Sequence, residues 1–270
     1  MIVKAPAKIN LTLRILSKRA DGYHEISSLM RAIRLFDEVE IDFYAAGINV
    51  SSDAEGVPEG PDNLAYKAAE LILGKSGGID IFLRKRIPTA AGLAGGSADA
   101  AAVLLALAND KKLDDIAALG AKLGMDVPFC VYTCAAANPE LGYKGFTAMA
   151  ASGAGEELTP VNDPEKAWIV LVKPQIEIPT KQVYDLYDIW NGPTPDSEND
   201  LEAPCADAWP VVGETIAELK NICGGDVKVQ LSGSGPTVFA YFKDEAEAER
   251  VFDRSKSHFT GMAVYLTETF

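Results

Sequence analysis

Apolar and polar side chains alternate along this chain in patterns that predict two successive groups of strands and helices. Residues 8–15 show the period of two of a half-buried strand, and residues 38–43 repeat it. Asp62-Asn63 then precedes good helix formers over residues 64–73, with Gly74 as the stop. A short strand at 79–83, a glycine-rich stretch, and helices over 98–108 and 114–123 complete a mixed first half. Between about 134 and 165, Ala, Gly, Asn and Pro accumulate and periodicity fades, which predicts a long loop or domain junction. Beyond it, strands at 168–172, 227–231, 237–242 and 263–266 and helices at 180–188, 209–219 and 245–254 predict an α+β sandwich with a mainly antiparallel sheet.

Composition narrows the function classes. Hydrophobic residues at 48% and charged residues at 24% of a 270-residue chain fit a globular protein large enough to bury a core. No apolar run approaches the roughly 20 residues of a membrane span, and the N-terminus lacks the zones of a signal peptide. The expectation is a cytoplasmic protein that binds no membrane. A net charge of −14 disfavours nucleic acid as a partner. Residues 1–34 reverse the sign, with seven basic groups against two acidic ones, which reads either as a cationic field for a small anion or as a solvated basic face. Four cysteines without a C-x-x-C pair predict free thiols. With only two histidines, His24 and His258, acid–base chemistry falls mainly to carboxylates and lysines.

The stretch from Pro88 to Ala102 carries the strongest chemical signal. Pro88, Thr89, Ala90, Ala91, Gly92, Leu93, Ala94, Gly95, Gly96, Ser97 and Ala98 join a strand to a helix, and from Ala90 to Ala98 all but Leu93 are small, so a ligand can approach the backbone. Ser97 is the expected N-cap, and the helix start behind it would offer unpaired N–H groups to an anion such as a triphosphate. A plain Gly/Ala turn is the alternative. Gly74-Lys75-Ser76 is no Walker loop, because Ala69 stands where the first glycine belongs; it reads as a helix stop.

Three segments together resemble the motifs of the GHMP kinases: Pro6-Ala7-Lys8-Ile9-Asn10-Leu11, the stretch from Pro88 to Ala101, and Leu231-Ser232-Gly233-Ser234-Gly235-Pro236-Thr237-Val238-Phe239. Further segments, Arg19 to Glu25, Leu123 to Phe129, Ile178-Pro179-Thr180 and Asn199-Asp200-Leu201-Glu202, are similar to the diphosphocytidyl-methylerythritol kinases within that superfamily. The chain departs from that pattern at Ala94 and Ala98, and in about a dozen extra residues, 132–144. The loss of a hydroxyl at position 98 leaves only a backbone contact for a ligand there.

The resemblance implies two domains, 1–157 with a ribosomal-protein-S5-like fold and 158–270 with a ferredoxin-like α+β fold, and a cleft between them. It implies ATP and Mg²⁺, and transfer of phosphate to the 2-hydroxyl of a small substrate carrying a cytidine diphosphate group. On this likeness Lys8 and Asp126 are the catalytic pair. Asn63, Lys85 and the glycine loop hold the nucleotide, with Ser232 to Gly235 closing over phosphate. Asn10, Tyr23, His24, Thr180 and Tyr184 hold the acceptor, with Tyr184 on the cytosine. Ser97 and Asp99 are possible oxygen donors near the metal, with neither assigned as its ligand. An acceptor such as homoserine or mevalonate, a catalytically silent ATP-binding regulator, and a nucleic-acid module are the rival readings.

Overall fold

The computed structural model describes residues 1–43, 47–74, 77–108, 110–162, 165–192 and 197–270. Two long strands, β1 (Ile2–Lys18) and β2 (His24–Asp42), pair antiparallel from Ile2 opposite Glu40 to Lys18 opposite His24. Only parts of each show alternation in sequence: in β1, Ala5-Pro6-Ala7 is buried on both faces and has no polar half, whereas from Lys8 onward the buried polar residues Lys8 and Asn10 keep the pattern. The rest of the first sheet is β3 (Ile48–Ser52), β4 (Ile79–Arg84), β5 (Ala148–Ser152) and β6 (Glu157–Pro160), in the order β3-β4-β2-β5-β6 with β1 on β2. Helices α1 (Leu64–Leu73), α2 (Gly95–Leu107), α3 (Leu113–Gly120) and α4 (Val127–Ala137) build the first core against it. Asn63 caps α1 by accepting from Ala65 N–H, and Gly74 ends it at φ 70°. Lys75 and Ser76 of the expected stop lie outside the described residues.

The segment expected to be a long loop or domain junction from about 134 to 165 carries regular elements before the second half begins. It holds the last turn of α4, the strand β5 between β2 and β6, and the edge strand β6. Small residues on a short strand, as in Ala148 to Ser152, give no readable alternation. The extra residues 132–144 pack on the first core, with Tyr132 bonded to Asp114, Tyr143 to the Ala108 carbonyl, and Asn138 pairing with both backbone groups of Lys4. None of them lines the cavity described below.

In the second half, β7 (Trp168–Lys173), β8 (Lys228–Leu231), β9 (Val238–Phe242) and β10 (Ala263–Glu268) form an antiparallel sheet ordered β10-β7-β9-β8. With α5 (Thr180–Ile189), α6 (Glu202–Ala208), α7 (Pro210–Cys223) and α8 (Glu245–His258), this is the β-α-β-β-α-β arrangement of a ferredoxin-like unit. The first sheet ends at β6, three residues beyond the division expected at 157/158.

A third core, of Ala7, Ile9, Leu11, Ile33, Leu93, Ile169, Leu171 and Phe239, joins the halves. The register of β1 against β2 shifts between Pro6 and Lys8. Across that shift the odd-numbered apolar residues pass from the first core (Val3, Ala5) to the joint (Ala7, Ile9, Leu11). The intervening positions, Lys8 and Asn10, are thereby turned to a cavity between the halves. No helix among the described residues is long and apolar enough to cross a membrane, and all four cysteines are free.

Candidate active site

The cavity has a volume of about 1020 Å³ and is lined from both halves of the chain. On one wall is the glycine loop. Pro88, Thr89, Ala90, Ala91, Gly92, Ala94, Gly95, Gly96 and Ser97 all face it, whereas Leu93 is 1% exposed in the joint and Ala98 is fully buried in the first core. The expected cap is not Ser97. α2 starts at Gly95 after Ala94, which sits in the left-handed region at φ 60° and makes no side-chain cap bond. The first intrahelical bond runs from Ala98 N–H to the Ala94 carbonyl, so the N–H groups of Gly95, Gly96 and Ser97 have no helical acceptor and Ala98 has none to offer a ligand. Ala90, at φ 47°, is a second strained alanine in the loop.

Behind the loop lies a buried ion cluster. The Lys85 ammonium is 2.5 Å from both Asp37 Oδ2 and Asp99 Oδ2, with all three side chains 6% exposed or less. Asp37 also accepts from the backbone N–H groups of Arg86 and Ile87, tying β2 to the loop. Burial pushes the Asp99 carboxyl up to about 7; Lys85 opposes this and Asp37 adds to it. Asp99 Oδ1 is buried with no hydrogen-bond partner. Lys85 lines the cavity but is committed to these carboxylates. Asn63 lines it too, with its amide spent on Ala65 N–H and the Pro58 carbonyl.

At the centre, Lys8 Nζ donates to Asn10 Oδ1 at 2.7 Å and lies 3.6 Å from Asp126 Oδ2. Asn10 is held in turn by donating to Ser28 Oγ, which donates to the Thr12 carbonyl. Lys8 is 5% exposed at its side chain and Asp126 40%. Asp126 stands at the N-cap of α4 without using its carboxylate as a cap. Its negative charge sits at the positive end of the helix, and its oxygens remain open to the cavity.

The far end is aromatic. His24 lies 5.1 Å from Tyr184 with rings stacked at 29°, and Tyr23 is half exposed at the mouth. Burial raises the pKa of the Tyr184 hydroxyl, and the Asp126 carboxylate adds to that shift. Thr180 Oγ1 is 3.0 Å from Ser234 Oγ, which links α5 to the 232–235 turn. Gly233 and Ser234 of that turn line the cavity, and Ser232 donates to the Gly92 carbonyl. The basic N-terminal segment does not create a cationic field here. Of its seven basic groups only Lys8 lines the cavity, and Arg14, Lys18, Arg19 and Arg34 are in ion pairs within the chain. Two residues that position the site, Asp37 and Asp188, carried no signal in sequence because their partners are distant along the chain.

The family model of the GHMP kinases N-terminal domain matches residues 63–134, and that of the GHMP kinases C-terminal domain matches residues 198–261. A 4-diphosphocytidyl-2-C-methyl-D-erythritol kinase of Geobacter metallireducens is 40% identical over 92% of this chain and 91% of its own. The enzyme of that name from Clostridium acetobutylicum is 36% identical over the full length of both chains. A crystal structure of a 4-(cytidine 5'-diphospho)-2C-methyl-D-erythritol kinase superposes with a TM-score of 0.76 at 30% identity, covering 100% of this chain and 99% of the other. A homoserine kinase of Cytophaga hutchinsonii shares the fold, with a TM-score of 0.63 at 18% identity. Glycine loop, Lys8–Asp126 pair and aromatic pocket thus occur in a chain that belongs to the GHMP kinases, in the family of the 4-diphosphocytidyl-2-C-methyl-D-erythritol kinases.

Proposed function

We propose that this protein transfers the γ-phosphoryl group of ATP to the 2-hydroxyl of 4-diphosphocytidyl-2-C-methyl-D-erythritol, a step of isoprenoid precursor synthesis in the cytoplasm. The observation that carries the reading is the Lys8–Asp126 pair, placed in one cavity between unpaired helix N–H groups and an aromatic pocket. Phosphoryl transfer needs the acceptor hydroxyl held in line, charge neutralised and the proton received. The N–H groups of Gly95, Gly96 and Ser97 receive phosphate oxygens. Asp126 orients the hydroxyl and takes its proton. The Lys8 ammonium, already fixed by Asn10, has a donor left for the transferring phosphate. At the far end Tyr23 and Tyr184 offer flat surfaces to the pyrimidine, with His24 at its edge and Thr180 and Asn10 toward the acceptor's polar groups.

Mg²⁺ bound to the nucleotide would neutralise phosphate charge. Among the described residues no group of three or more His, Cys, Asp or Glu side chains could hold a metal on its own. The Ser97 hydroxyl and Asp99 carboxylate line the cavity, and the unpartnered Asp99 Oδ1 fits an ion held mainly by phosphate and water. A coupled ATP assay, with phosphorus NMR of the product, tests the proposal: a new monoester on the 2-oxygen is expected. ATP binding without turnover of this acceptor would favour the silent regulator.

A further inference from the structure

Asp188 lies outside the set of residues expected at the site, yet it holds one of them. His24 opens β2, is 7% exposed, and has its ring stacked on Tyr184 and edge-on to Tyr187 at 6.4 Å. Its Nε2 stands 2.7 Å from Asp188 Oδ1. A carboxylate can only accept, so Nε2 carries the hydrogen. The other oxygen of Asp188 takes the Lys18 ammonium. In the Nε2–H tautomer Nδ1 is a bare lone pair. Among the described residues Nδ1 has no hydrogen-bond partner, and His24 lines the cavity.

We propose that Asp188 is a positioning residue that fixes His24 as the Nε2–H tautomer and so presents Nδ1 to the exocyclic amine at position 4 of the acceptor's pyrimidine, selecting cytosine over uracil. The inference rests on the reading above, in which the acceptor carries a cytidine diphosphate. Cytosine places N–H donors at position 4. Uracil places a carbonyl oxygen there, whose lone pairs would face the lone pair of Nδ1 and leave both acceptors unpaired in a buried pocket. Two ring contacts and the Asp188 bond keep the imidazole from turning to offer a donor instead.

Two measurements test this. With only two histidines in the chain, nitrogen NMR of ¹⁵N-histidine-labelled protein resolves each ring, and His258→Gln assigns them. The expected spectrum shows His24 protonated at Nε2 and bare at Nδ1, with this preference lost in Asp188→Ala. A bare Nε2, or an unchanged spectrum in Asp188→Ala, would overturn the proposal. Titration calorimetry with cytidine diphosphate and uridine diphosphate gives the second readout. Wild type should prefer the cytidine ligand by roughly 10- to 100-fold. Asp188→Ala should reduce that ratio to within about 3-fold, whereas Asp188→Asn, which keeps an oxygen acceptor for Nε2–H, should retain it. Proportional weakening of both ligands in Asp188→Ala would mark a merely structural role and overturn the proposal. Failure of cytidine diphosphate to bind wild type would overturn the acceptor reading and this inference with it; cytidine selectivity that survives Asp188→Ala would overturn this inference alone.

Discussion

Lys8 and Asp126 meet because a register shift turns one face of β1 toward the start of α4. If Asp126 acts on the acceptor hydroxyl, Asp126→Asn should lower kcat on the order of 10²-fold or more and leave ATP affinity within a few fold; Lys8→Ala should do likewise. Near-normal kcat in Asp126→Asn, read in a steady-state assay, would remove the assignment. The glycine loop separates two kinds of glycine. A Cβ on Gly95 would meet Ile87 at 3.1 Å and Asp37 Oδ2 at 3.5 Å, so a valine there strains the interior, whereas a Cβ on Gly96 meets nothing nearer than Leu64 at 3.9 Å and projects into open space. Gly96→Val is therefore expected to weaken ATP binding at least about 10-fold in a folded protein, by obstructing phosphate at the N–H groups. Calorimetric titration beside a melting curve checks it, and unchanged affinity would move the phosphate site elsewhere. Ala94 makes the opposite kind of prediction. At φ 60° its Cβ costs roughly 1–2 kcal/mol, part of which glycine returns through a more flexible unfolded chain, so Ala94→Gly should stabilise the fold by up to about 1 kcal/mol in urea unfolding.

At the scale of elements, the Asp37–Lys85–Asp99 cluster joins β2, the end of β4 and the first turns of α2. Asp37→Ala would leave Lys85 short of a counter-charge and two backbone N–H groups unpaired, at a cost of roughly 3–5 kcal/mol. Asp99 adds a pH dependence. Because its carboxyl is pushed up to about 7, the folded state holds that proton more tightly than the unfolded one. Its contribution to stability is thus full near the ordinary carboxylate range and is lost as pH rises toward 7. Asp99→Asn should flatten that loss, so that denaturant curves at steps of pH converge differently for the two proteins; parallel trends would show that Asp99 is ionised throughout. Legibility in the sequence follows the same physics. Elements with one wet face, such as α1 and α8, announce themselves by period, and the run of small residues before α2 exposed the glycine loop. Elements buried all round or built of small residues do not. α4 reads as featureless Val-Pro-Phe-Cys-Val-Tyr-Thr-Cys-Ala-Ala-Ala, and β5 as a loop. The loop's own conformation was illegible too, since an alanine in the left-handed region has no sequence marker, and Ser97 looked the better cap.

In the whole molecule, one cavity takes its glycine loop from the first half and its aromatic pocket from both, Tyr23 and His24 from the first and Tyr184 from the second, and the joint core fixes their distance. At Gly92, with φ 72°, a Cβ would stand 2.4 Å from the Ser232 carbonyl, so the glycine loop and the 232–235 turn touch backbone to backbone across the joint. That rigidity lets binding energy from a remote nucleotide position a hydroxyl at Asp126. Tyr184→Ala should accordingly raise KM for the cytidine-bearing acceptor several-fold with little change in ATP affinity. The central claim is tested most directly by kcat/KM for 4-diphosphocytidyl-2-C-methyl-D-erythritol measured beside that for 2-C-methyl-D-erythritol 4-phosphate, which lacks the cytidine. A preference for the full acceptor of about 10³-fold or more is predicted, on the order of 4 kcal/mol of nucleotide contacts. Comparable values for the two acceptors, or higher activity on homoserine or mevalonate, would contradict it.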